Sequence, residues 1–152
     1  MSSTIKTASG SVFSVSIATP ATFDQAGYEA LTYTEVANVI SGSKLGGVIN
    51  STTFEPLSAG ITQNILGNKT IDPLTLQLAY TSADAGQTLV DSLVTVGDAS
   101  YKACVTVKFQ LPTGEVFYNH GFCSEYAPNV ASANDIVDAA ATFLLNYEYL
   151  EV

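Results

Sequence analysis

Four stretches of this chain alternate apolar and polar residues with a period of two. Phe13, Val15 and Ile17 alternate with Ser14 and Ser16. Leu74, Leu76, Leu78 and Tyr80 alternate with Thr75, Gln77 and Ala79. Ala103, Val105, Val107, Phe109 and Leu111 form a third run. Val137, Ala139, Ala141, Phe143, Leu145, Tyr147 and Tyr149 form the longest. Successive side chains of a strand point to opposite faces, so this pattern builds half-buried strands. The Ala-rich residues 138–142 also suit a helix, but the length of the alternation and its terminal aromatics favour a strand. High β-branched content from Thr32 to Ile40 predicts a further strand.

One helix interrupts the strands. Asp84 can cap its first turn, with Gln87 three residues on, as in a capping box. Leu89, Val90, Leu93, Val94 and Val96 make one apolar stripe, and Gly97 suits the C-terminal cap. A second helical turn is expected near Tyr28. After the third strand, Pro112-Thr113-Gly114 has the chemistry of a tight hairpin turn. A three-residue loop there pairs Leu111 with Glu115, Phe109 with Phe117 and Cys104 with Phe122. It turns Cys123 to the other face, which argues against a disulfide. The expected fold is mainly β: an antiparallel β-sandwich or partial barrel with one flanking α-helix.

Residues 41–69 fit no pattern. They hold five glycines and Pro56, yet also Val48, Ile49, Phe54, Leu57, Ile61, Ile65 and Leu66. A loop of that length is unusual in a compact domain, so it is either functional or a misread strand pair. Its apolar residues require a cover. Residues 1–10 are small and polar and read as a mobile N-terminal arm to a single domain over 11–152. Residues 128–134 read as a polar loop.

Composition narrows function. Charged residues are only 12% of the chain, about half the usual share, so much of the surface is either Ser/Thr-rich or buried against other subunits. Fourteen acids oppose five lysines and no arginine. Tight duplex binding neutralises phosphates, and five scattered lysines cannot supply that. No apolar run reaches a membrane-span length, and residues 1–6 lack a secretion signal's pattern. His120 is the only histidine and has no Cys or carboxylate cluster in its sequence neighbourhood, so no metal site, cofactor or catalytic residue is expected.

The order of elements carries a resemblance. An apolar helix from Gly86-Gln87 leads through Gly97-Asp98 and Tyr101-Lys102 into the Phe109-Leu111-Pro112-Thr113-Gly114 hairpin. A return strand through Gly121-Phe122, a short loop and a long alternating strand follow. Upstream lie a strand, Val36-Ala37-Asn38-Val39-Ile40 and the glycine-bearing loop. This order, over about residues 11–150, resembles the tail tube proteins of long-tailed bacteriophages. The resemblance implies a virion structural protein, assembled in the host cytoplasm as hexameric rings stacked into a tube. One sheet per subunit would line the lumen, through which DNA and the tape-measure protein pass. Terminator and distal tail proteins would be further partners. It implies an inter-ring role for residues 41–69, carried by the seven apolar residues above. Glu115, Asp138 and Glu148, on strands, are candidate lumen-facing acids. The same fold serves contractile tails and type VI secretion, and a free β-sandwich binding module displaying Tyr118, Tyr126, Tyr147 and Tyr149 is the remaining alternative.

Overall fold

A computed structural model describes residues 8–58, 60–129, 133 and 136–152. Most of the expected mobile arm lies outside these residues, as does most of the loop expected at 128–134. Among the described residues the fold is mainly β and antiparallel. The strands are β1 (Val12–Ser16), β2 (Thr34–Glu35), β3 (Val39–Gly42), β4 (Gly47–Phe54), β5 (Gln63–Ile71), β6 (Leu74–Ala79), β7 (Cys104–Gln110), β8 (Val116–Asn129), β9 (Asp138–Leu145) and β10 (Leu150–Glu151). The helices are α1 (Gln25–Glu29) and α2 (Ala85–Ser92).

One sheet runs β2-β1-β7-β8-β9-β6-β3. Its two outermost strands are joined by only three residues, Val36 to Asn38. Six strand spacings of a flat sheet span about 29 Å. Four peptide units from Glu35 to Val39 reach about 15 Å. The sheet must therefore curl until its edges approach, without closing into a ladder. The curl brings Phe13 of β1 against Phe143 of β9, with ring centroids 5.8 Å apart. Its concave face holds the core, including Val15, Leu78, Val105, Val107 and Phe143.

Helix α2 closes one end of the curl with Val90 and Leu93. Asp84 caps it as expected, accepting from the Gln87 backbone N–H at 2.9 Å. The Gln87 side chain does not complete a capping box. It is buried, accepts from Thr81 N–H and Tyr126 O–H, and donates to the carbonyls of Ala37 and Ala79. Gly97 does not cap the helix, which ends at Ser92 with Leu93 as the cap. Lys102 N–H returns to the Leu93 carbonyl instead, and Val96 stays exposed. Gly86 is required by packing, since a Cβ there would lie 2.1 Å from the Glu35 carbonyl oxygen.

The β7–β8 hairpin has the expected register: Phe109 opposite Phe117, Cys104 opposite Phe122, and Leu111 N–H bonded to the Glu115 carbonyl. Both cysteines are free. Burial pushes the Cys123 thiol up to about 11, so it stays protonated at neutral pH.

Three expectations need correction. The strand expected over 32–40 is two fragments on opposite edges of the sheet, because Asn38 takes a positive φ of 61° and redirects the chain. The last strand is interrupted: β9 and β10 lie along the same edge of β8, with residues 146–149 breaking the ladder between them. Residues 41–69 are largely strand. They comprise the end of β3 and most of the β4–β5 hairpin, which forms a separate two-stranded sheet.

A second layer covers part of the convex face. Thr106 is fully buried beneath it and donates to the Ala18 carbonyl at 2.6 Å. Tyr28 of α1 stacks on Tyr118 at 5.2 Å. Tyr28 O–H and His120 Nδ1 lie 3.1 Å apart, and Phe23 stacks on the imidazole at 4.6 Å.

Candidate assembly surfaces

The β4–β5 hairpin projects from the body. β3 and β6 are neighbours in the sheet, and the hairpin leaves from the end of β3 and returns into the start of β6. Gly47 permits a close approach at its base, where a Cβ would sit 2.0 Å from the Thr70 carbonyl oxygen. Two ion pairs flank the root: Lys44 with Asp72 at 3.5 Å, and Lys69 with Glu148 at 2.6 Å.

Both hairpin faces carry exposed apolar side chains. The pairing Thr52–Ile65 and Phe54–Gln63 puts Val48, Phe54 and Ile65 on one face. Ile49 and Leu66 occupy the other, because the ladder shifts register between Ile49 and Ser51. Leu57 and Ile61 sit on the connecting loop, and Leu57 is 105% exposed. All seven of these residues are at least 47% exposed, so the described residues leave them largely uncovered. Exposed apolar clusters of this kind mark interaction surfaces.

A second surface is the uncovered part of the convex sheet face. Cross-strand rows Thr75–Thr142–Glu125 and Gln77–Ala140–Ala127 lie side by side on β6, β9 and β8. The next row is Ala79–Asp138–Asn129. The face is small-residued and weakly charged, and its acids in these rows are Glu125 and Asp138. Glu125 reaches it through a register shift between Cys123 and Glu125. Without that irregularity it would share Cys123's inward face, so alternation alone could not have found it.

The three acids singled out from sequence are not brought together. Asp138 opens β9, accepts from Gln77 Nε2 at 2.6 Å, and has its Oδ1 buried without a partner. Glu115 lies in the turn before β8, where it accepts from Thr113 Oγ1. Glu148 lies between β9 and β10, tied to Lys69. Only Asp138 is therefore on a strand. Glu115 and Asp138 also flank opposite ends of β8, about 40 Å apart along its length.

The third surface is a cavity of about 750 Å³ at the end of the curl away from α2, beside the open edges. Core side chains of Phe13, Leu74, Leu76 and Phe109 reach its wall, and Leu45 and Tyr149 stand where the hairpin begins.

The aromatic residues do not frame one cleft. Tyr118 and Tyr126 are buried, while Tyr147 and Tyr149 are exposed. His120 serves packing: burial holds its imidazole below the usual histidine range. The unfolded chain then takes up a proton more readily than the folded one. Stability from this residue is complete above about pH 6.5 and declines as pH falls through that range toward the lowered folded value. The denaturant midpoint should therefore drop between about pH 7 and about pH 5. The drop should be smaller in His120→Gln, and an equal drop in both chains would remove His120 as its cause.

The sequence matches a family model described as phage tail tube protein, over residues 4–150. No curated protein sequence matches it. Solved structures share its fold. A chain of the anti-feeding prophage baseplate aligns with a TM-score of 0.66 at 9% identity, covering 99% of this chain and 97% of that one. A chain of the sheath/tube terminator of an extracellular contractile injection system, in the extended state, aligns at 0.63 and 13% identity, covering 99% and 98%. A chain of the sheath-tube complex of such a system aligns at 0.58 and 13%, covering 93% and 87%. Identities this low speak for the fold alone, but the family match spans nearly the whole sequence. The chain belongs to the phage tail tube protein family.

Proposed function

We propose that this chain is the repeating subunit of a phage tail tube, forming hexameric rings that stack into a hollow conduit for DNA passage and ejection. The observation that carries the reading is the hairpin with two exposed apolar faces, which neighbouring subunits of an assembly would bury. The hairpin bridges one ring to the next. The uncovered sheet face of β8, β9 and β6 lines the bore, joined edge to edge with its neighbours so that free strand edges are removed.

On that face Glu125 and Asp138 are the bore acids in this reading. They repel phosphates at distances within a Debye length of about 8 Å. The neutral Thr, Ala and Gln rows around them give DNA little to grip, so it slides without counterion release. Glu148, paired with Lys69, belongs to the hairpin root instead. The tube ends on terminator and distal tail proteins and encloses a tape-measure protein before DNA enters. It forms in the host cytoplasm and is carried in the virion.

A second reading is the tube of a contractile device. It is favoured by one observation: solved chains of like fold belong to contractile injection systems.

Negative-stain microscopy of the purified chain tests the proposal. Hollow tubes or six-fold rings are expected at high protein concentration. A monodisperse monomer under every condition tried would sink it.

A further inference from the structure

Among the described residues, the hairpin and this cavity lie at the same end of the molecule. β3 runs toward the cavity end and passes through Ser43 and Leu45, which line the cavity, directly into β4. Eight residues of β4 then carry the tip about 26 Å from that root. That is close to the width of a small domain. A chain's own tip therefore lies far from its own cavity and within reach of another copy.

A strand pair with one partner needs one apolar face. This hairpin has two, and an apolar tip besides. We propose that the tip, with Phe54, Leu57 and Ile61, docks into the cavity of the adjacent copy in the same ring, while the hairpin's second face is left for the ring above. The proposal rests on the tube reading and deepens it.

The chemistries fit. Core side chains of Phe13, Leu74 and Leu76 reach the cavity wall beside the unclosed sheet edges, and the exposed Ile40 adds apolar surface there. Ser11, which lines it, has a buried Oγ without a hydrogen-bond partner. Residues 55–58 and 60–62 lie outside the β4–β5 ladder, so the tip offers carbonyls that Ser11 can donate to. The stoichiometry fits as well. One tip and one socket on different parts of each chain make a head-to-tail contact, and closing it into a ring fills every socket.

The test uses engineered cysteine pairs in a Cys104→Ser chain, which leaves only the buried Cys123 thiol. Leu57→Cys is combined with Ile40→Cys at the cavity wall. Assembled tubes are oxidised and run without reductant. The expected result is a ladder that ends at the subunit number of one ring. A ladder running well beyond that number would put the contact between rings and overturn the proposal. Tubes that form yet yield only monomer would overturn it too, as would a cross-link within one chain. A parallel Ser3→Cys, Ile40→Cys pair tests the N-terminal residues as occupant, and efficient cross-linking there would displace the tip. If no tube or ring forms at all, the tube reading itself fails, which is a distinct result.

Discussion

A chain in which residues 48–70 are replaced by an Asn-Gly turn should fold normally and never polymerise. The hairpin pairs with itself as a separate sheet, and none of its seven large apolar residues is in the core. What the deletion removes from the body is the exposed Lys69–Glu148 pair, which is worth about 0–1 kcal/mol. A shorter connection between Gly47 and Ile71 also costs slightly less to close. The melting temperature should therefore stay within about 3 °C of the parent monomer's. Assembly is another matter. Burying one large apolar side chain contributes about 1.5–3 kcal/mol. Losing even half of the seven costs about 5 kcal/mol per subunit, over a thousandfold in association. Ultracentrifugation should show a monomer at every concentration where the intact chain gives rings or tubes. Tubes from the shortened chain would show that the hairpin is dispensable and the assembly reading misplaced.

The second large effect is on the fold. Gln87→Leu should lower stability by about 3–5 kcal/mol. The side chain is 1% exposed and makes four hydrogen bonds, two through each terminal atom. Leucine fills the space but leaves the Thr81 N–H, the Ala37 carbonyl and the Tyr126 hydroxyl without this partner. Each buried orphan costs about 1–3 kcal/mol. For a chain of this size the melting temperature should fall by about 10 °C or more. The hairpin-shortened monomer is the right background, because its melting reports the fold without the lattice. Tyr126→Phe removes one of the four bonds together with its donor and should cost only about 1 kcal/mol. If the two variants melt alike, Gln87 is not the hub that its geometry implies.

Gln87 also shows where sequence reading stops. Its place in the first turn after Asp84 was plain from spacing, and so was the cap. Its four partners come from residues 37, 79, 81 and 126, which no local pattern connects. The β7–β8 register was legible because one tight turn sets every pair that follows it. The β4–β5 pair was not, because neither of its faces is buried within the chain. Alternation betrays a strand only when the two faces meet different surroundings, and here Thr, Ser and Asn share both faces with Val, Ile and Leu. The division of residues 34–42 between two sheet edges turns on the backbone of Asn38, and the outward turn of Glu125 on a single ladder irregularity. Asparagine suits that left-handed backbone but does not by itself announce it, and the irregularity at Glu125 leaves no compositional trace. The element order, by contrast, survives all these local surprises, and it is what carried the family likeness.

The hairpin's attachment has a mechanical consequence. β5 continues into β6 with only Asp72 and Pro73 between them, and β6 is hydrogen-bonded on both sides, to β9 and to β3. Tension on the hairpin therefore enters the body along an interior strand. It loads two ladders in shear, so many hydrogen bonds must fail together instead of opening one at a time. A lattice joined through such an element resists stretching most strongly along those strands, and it should sooner part at the docked contacts between subunits than unravel a subunit from within.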